Sequence, residues 1–146
     1  MPNDCTNIIK CTHDDPEIIH RLKEALSRET PAFFAEFIPC PENEIRTSYW
    51  GTKWDVYDVN IEGETEDTLQ LSFYTAWSPP FAAYTLLQKL GFTIEAIFME
   101  GGCDFCGYWR NGEEIIYENV RDNISAVPEE FHYYFCDSDE ENDEEK

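Results

Sequence analysis

The sequence predicts an α+β domain in which two helices cover one antiparallel sheet. Three observations lead there. The chain is 42% hydrophobic over 146 residues, with 10 Phe, 8 Tyr and 4 Trp, enough apolar material for a sizeable core. Two segments carry apolar residues at helical spacing, and between and around them lie segments that alternate with a period of two. Polar or Asn-Gly turns join the alternating segments, as in antiparallel pairs.

In chain order, residues 5–12, CTNIIKCT, are β-branched and read as a first strand. Asp14, Asp15 and Pro16 then open a helix, with a carboxylate to cap it and a proline where a missing N–H costs nothing. Ile18, Ile19, Leu22 and Leu26 form its apolar face. Residues 31–41, PAFFAEFIPCP, are apolar but bounded by prolines and read as a short packed connection, with room for a half-turn of helix. WDVYDVNI (54–61) and the segment 68–75, with Leu69, Leu71 and Phe73 on one side, form a hairpin across the polar turn EGETED. Ser78-Pro79-Pro80 caps a second helix whose stripe is Ala83, Leu86, Leu87 and Leu90, and Gly91 ends it. Residues 92–100 form a further strand, and Asn111-Gly112 turns between two more strand-like runs.

This order, β-α-β-β-α-β followed by an added C-terminal hairpin or strand, is that of a ferredoxin-like sandwich. Pro128 to Cys136 reads as a short aromatic helix ending a single domain over 1–136, and 137–146 as a disordered acidic tail. There is no internal repeat.

Charge bounds the function more firmly than any motif. The formal net charge is −21, from 31 acidic and 10 basic residues. Asp137–Lys146 holds seven acids and one lysine, so −15 remains on residues 1–136. Such a body repels nucleic acid phosphates and anionic membrane surfaces, and its electrostatic complement is a basic protein surface. The N-terminus has no basic and apolar leader, and no apolar run approaches a membrane span. The expected location is therefore a cytoplasm, with Cys5, Cys11, Cys40, Cys103, Cys106 and Cys136 as reduced thiols.

The blocks MPNDCTN (1–7), FIPCP (37–41), YWGTKWDVYDV (49–59), FYTAWSPP (73–80) and GGCDFCGYWRNGE (101–113) resemble the YubB-like family. These are small ferredoxin-like domain proteins met on plasmids, phages and related mobile elements. The resemblance covers residues 1–118 and implies the fold and a viral or mobile-element setting, without a shared reaction. Asp4 departs from it, standing where the family commonly has a tryptophan. The acidic tail and the extreme body charge do not follow from the family pattern.

Four candidate constellations remain. Cys103 and Cys106 have the spacing of half a zinc site, but no second pair completes the four ligands that structural zinc wants, so no metal or other cofactor is expected. His13, His20 and His132 are scattered, and no nucleophile, phosphate-loop or zinc-protease motif occurs, so an enzyme is not expected. Trp50, Lys53, Trp54 and Trp77 offer an alternative face for a small ligand, nucleotide or peptide, against the simpler reading of aromatics packing a core.

The acids themselves are the leading candidate. If the linker stays extended, Glu62, Glu64 and Glu66 stand on one side about 6–7 Å apart, a spacing of the order of phosphates along DNA. With Asp67 and the tail acids Asp137, Asp139, Glu140, Glu141, Asp143, Glu144 and Glu145 they make the expected partner-binding set. The expected function is a non-enzymatic inhibitor that mimics nucleic acid charge to a nucleic-acid-binding host defence protein. The competing account is an acidic surface that only keeps the chain dissolved.

Overall fold

A computed structural model of the protein describes residues 3–132 and Phe135. Its centre is a six-stranded sheet with every neighbouring pair antiparallel. The strands are β1 (Asp4–Thr12), β2 (Tyr57–Glu64), β3 (Thr68–Ala76), β4 (Thr93–Glu100), β5 (Phe105–Arg110) and β6 (Glu113–Glu118), in the spatial order β2-β3-β1-β4-β5-β6. Helices α1 (Pro16–Leu26) and α4 (Phe81–Lys89) follow β1 and β3; the short turns α2 (Phe34–Phe37) and α3 (Arg46–Tyr49) lie between α1 and β2. The α+β class expected from the sequence is what the structure shows.

Strand alternation sorts the side chains to two faces. Ile9 and Cys11 of β1, Leu69, Leu71 and Phe73 of β3, Ile94 and Ala96 of β4 and Trp109 of β5 point to one face. There they meet Ile19, Leu22 and Leu26 of α1 and Ala83, Tyr84 and Leu87 of α4. Each such large apolar side chain contributes roughly 2–3 kcal/mol when fully buried. Among the described residues the opposite face is covered at one end, where Met99, Cys106 and Tyr108 pack under Val120, Val127, Phe131 and Phe135.

Local chemistry sets the element ends. Asp15 caps α1 by accepting from the Glu17 N–H at 3.0 Å, with Pro16 at the first helical position. Pro80 lies just before α4 rather than inside its first turn; the Ala83 N–H donates to the Trp50 carbonyl, and the Tyr84 N–H reaches Pro80. Gly91 closes α4 at φ +100°, the left-handed conformation expected of it. Asn111 and Gly112, both at positive φ, turn β5 into β6 as a primed turn requires.

The connection over 31–41 takes up the half-turn of helix open to it, as α2, and this turn is held from outside: Asp55 accepts from the backbone N–H groups of Phe33, Phe34, Ala35 and Val56. That use of Asp55 removes residues 54–56 from the sheet. β2 therefore begins at Tyr57, runs to Glu64 through most of the expected turn, and reverses only over Thr65–Asp67. In the expected terminal helix, Glu129–Phe131 is a single 3-10 turn, preceded by another at Ile124–Ala126. Beyond Phe131 only His132 and Phe135 are described, and the tail 137–146 lies outside the described residues.

Asp55→Ala leaves several backbone donors without their charged acceptor, each such bond contributing about 1.5–3 kcal/mol. The expected result is a loss of about 3 kcal/mol in urea unfolding, against a change within about 0.5 kcal/mol for the exposed control Glu42→Ala.

Candidate functional site

The acidic linker does not form a single row. The register of β2 against β3 shifts between Ile61 and Gly63, so one extra residue enters β2 there. A one-residue shift moves every following side chain to the other face. Glu62 lies on the face away from the helices, where it accepts from Ser72 Oγ at 3.0 Å. Glu64 lies on the helix side, 2.7 Å from Lys23 Nζ of α1. Glu66 borders a shallow depression with Pro16, Ile19 and His20. Asp67 is turned into its own loop, accepting from the hydroxyls of Thr65 and Thr68 while its carbonyl receives the His13 N–H. The expected same-side spacing is thus corrected: the linker divides its carboxylates between two faces. Asp137, Asp139, Glu140, Glu141, Asp143, Glu144 and Glu145 lie outside the described residues.

The aromatic face is also divided. Trp50 is 3% exposed, with its indole N–H on the Ile38 carbonyl at 2.8 Å and Phe34 at 5.6 Å, and so belongs to the core. Trp77 is the opposite case. It is 53% exposed and holds φ +71°, a conformation that costs energy in a bulky residue. It sits in a cleft of about 460 Å³ with Thr47, Gly51, Thr52, Lys53, Ala76 and Ser78. Two hydrogen bonds close this cleft's floor, Ser78 Oγ to the Gly51 carbonyl at 2.8 Å and Thr52 Oγ1 to the Ala76 carbonyl at 3.2 Å. Gly51, at φ +83°, packs so near the start of α4 that an added Cβ would stand 3.1 Å from the Ala82 nitrogen. The WGTKW and TAWSPP blocks, far apart in sequence, thereby build one corner. Lys53 lines this cleft with Trp77 and lies 5.3 Å over the Trp54 ring, while Trp54 and Trp50 are not among the cleft's lining residues.

The cysteines and histidines have structural surroundings. Cys103 is exposed in the β4–β5 turn, and Cys106 is buried on β5. Glu100, 1% exposed, accepts the Cys103 N–H, and Asp104 accepts from the Arg121 backbone and guanidinium, so this turn is braced from both sides. Among the described residues no group of three or more His, Cys, Asp or Glu side chains is placed to hold a metal ion. Burial pushes the Cys5 and Cys106 thiols up to about 12 and raises Cys11 as well. His13 bridges Leu90 and Asp15, its Nε2–H donating to the Leu90 carbonyl while Nδ1 accepts from the Asp15 N–H. His132 contacts the Val127 carbonyl at 2.8 Å.

Two features escape the linear sequence. The first is a row across the open face, Lys10–Glu95–Arg110–Glu113, in which directly opposed residues on neighbouring strands alternate in charge. It places Lys10 and Arg110 among acids. Most of the remaining described cations are similarly occupied: Arg21 and Arg28 pair with Glu36, Lys23 with Glu64 and Arg121 with Asp104, while Arg46 lies over Trp50 and Lys53 over Trp54; Lys89, at the end of α4, makes no such contact among the described residues. The Arg21 hydrogen bond holds the Glu36 carboxyl below its usual range. Only Glu36, Glu64 and Asp104 have an ion-pair partner among the described residues. The second feature is β6, an edge strand carrying Glu113, Glu114 and Glu118 beside exposed Ile115 and Ile116. Its EEIIYE run was readable as a strand, but not as an edge.

Comparison with known proteins yields one partial likeness. The chain is 33% identical over 67 residues to the uncharacterized protein YubB of Escherichia coli (strain K12), covering 44% of this chain and 46% of that protein. The chain thus spans about half the length of the curated relative it matches. No family model matches, and no solved structure matches. No helix among the described residues is long and apolar enough to cross a membrane.

Thiol reactivity reads these surroundings directly, because the thiolate is the nucleophile. At neutral pH iodoacetamide should modify exposed Cys103 at least about tenfold faster than buried Cys5, Cys11 and Cys106, as followed by peptide mass spectrometry. Equal rates in the folded protein would contradict the placement of Cys106 under the C-terminal segment.

Proposed function

We propose that this chain is a non-enzymatic acidic binding protein whose partner presents a basic, nucleic-acid-binding surface. The observation that carries the reading is the disposition of charge. Carboxylates stand on both outer strands, Asp58, Glu62 and Glu64 on β2 and Glu113, Glu114 and Glu118 on β6, while nearly every described cation is paired, stacked or set among acids. Dissolution needs only a few charges on a small domain, and −21 far exceeds that. Carboxylates presented to a basic groove pair with the Lys and Arg side chains that otherwise hold phosphates. Binding of this kind inhibits by occupation and requires no cofactor and no direct contact with nucleic acid.

The finer readings belong to the same proposal. β1–β4 with α1 and α4 is taken as a ferredoxin-like unit to which β5 and β6 are added, and the likeness to YubB as membership of a YubB-like family from plasmids, phages or other mobile elements. The target is then a host defence factor that handles DNA or RNA in the cytoplasm. The alternative reading, a small-ligand, nucleotide or peptide site, is favoured by one observation, the exposed Trp77 at positive φ in the Lys53 cleft.

Salt separates the two. Capture of a basic partner from the natural host should weaken steeply, by at least about tenfold, between 50 and 200 mM salt, as ion-pair-rich association does. Added duplex DNA should compete with the protein for that partner. A complex that keeps its affinity at high salt, and holds DNA at the same time, would sink the charge-mimic reading and favour the Trp77 cleft.

A further inference from the structure

The two edges of the sheet are both acidic, yet they are not equivalent. β2 is interrupted twice, by register shifts between Tyr57 and Asn60 and between Ile61 and Gly63. Such irregularities twist an edge away from further pairing. β6 pairs with β5 without a shift over all six residues, and all but Tyr117 are exposed. Ile115 and Ile116 are 40% and 47% exposed, an unusual feature for an edge strand, since a regular apolar edge is a template for another strand.

Beside Ile116, on the helix face, lies an apolar cleft of about 330 Å³ whose walls include Phe81, Phe98 and Phe105. Glu118 stands at its border, and Glu114 and Glu118 flank Ile116 on the same side of the strand. A second copy of this chain is a poor occupant: β6 against β6, centred on Ile116 and its cleft, sets Glu114 directly opposite Glu118 on both sides, and β2 is acidic as well. The complement is cationic.

Resting on the reading above, and deepening it, we infer that the outer edge of β6 binds an extended segment of the basic partner as a seventh strand. That segment carries an apolar side chain flanked at the second position on either side by Lys or Arg. The apolar residue faces Ile116 and enters the phenylalanine-lined cleft; the flanking cations meet Glu114 and Glu118. Because the acids are placed symmetrically about Ile116, the pattern fits in either chain direction. Main-chain hydrogen bonds then supply affinity and the alternating side chains supply specificity, as in other strand additions.

The test uses the full-length chain and fluorescence anisotropy with a labelled peptide, Lys-Thr-Leu-Thr-Lys, at low salt. It should bind at least tenfold more tightly than a peptide of the same composition with the leucine moved next to one lysine. It should also bind at least tenfold more tightly than the same sequence N-methylated at the leucine and at one threonine, which removes backbone donors on both sides of the strand while leaving its charge. Ile116→Asp, folded by circular dichroism, should weaken binding at least tenfold, although it adds a negative charge. Glu114→Lys/Glu118→Lys should weaken it far more than Glu62→Lys/Glu64→Lys, which changes the net charge equally. Equal binding of ordered, reordered and N-methylated peptides, or equal loss from the β2 and β6 variants, overturns docking at β6 while leaving the acidic-surface reading intact. No peptide binding, alongside salt-sensitive capture of a basic partner, likewise overturns only the β6 site; salt-insensitive capture overturns the reading beneath it.

Discussion

The rest of the structure depends on β1, which is paired along its length by β3 on one side and over most of its length by β4 on the other. Its alternation decides which residues meet the helices and which do not: Ile9 and Cys11 go to the core, while Thr6, Ile8 and Lys10 go to the opposite face. The partner strands copy that choice residue by residue through their register. The burial of Leu71 and Phe73, the tilted packing of Tyr84 against Trp109, and the placement of the Lys10–Glu95–Arg110 row on the open face all result from it. Where the register breaks, as at Ile61–Gly63, the distribution of surface charge changes as well as the strand, because Glu62 and Glu64 go to different faces.

A protein this acidic carries self-repulsion that opposes the compact state. Much of the acid is therefore displaced to the rims of the fold: strand edges, helix starts and loops. Most of the described cations are used within the fold, across Glu36, Glu64 and Asp104 or over aromatic rings, which leaves the rims with little compensation. The same arrangement guards the two sheet edges against pairing with another copy. On β6 the guard is selective. It repels acidic strands and leaves an unbroken backbone edge and two isoleucines available to a basic one.

Much of this was legible in the linear chain. The periods of 3.6 and 2 in the apolar residues, the Asp15-Pro16 cap, Gly91 and the Asn111-Gly112 turn depend on interactions within a few residues, and each stands close to where it was expected. The start of β2 was not legible, because Asp55 is withdrawn from the strand by backbone donors at Phe33–Ala35, about twenty residues away. The same holds for the aromatic cluster. Trp50 and Trp77 look alike in sequence, yet one is fixed in the core by the Ile38 carbonyl and the other is held out at positive φ.

By itself, the sequence determined the α+β class and the amount of charge, since both are sums or short-range patterns. Which carboxylates share a surface was decided only by tertiary structure. A single extra residue in β2 reverses a face, and whether a strand is interior or edge depends on what lies beside it in space. The even row of linker acids that the sequence suggests therefore dissolves on folding. In its place stand two acidic edges, one broken by register shifts and one regular, and that difference arises from strand pairing that no local sequence pattern encodes.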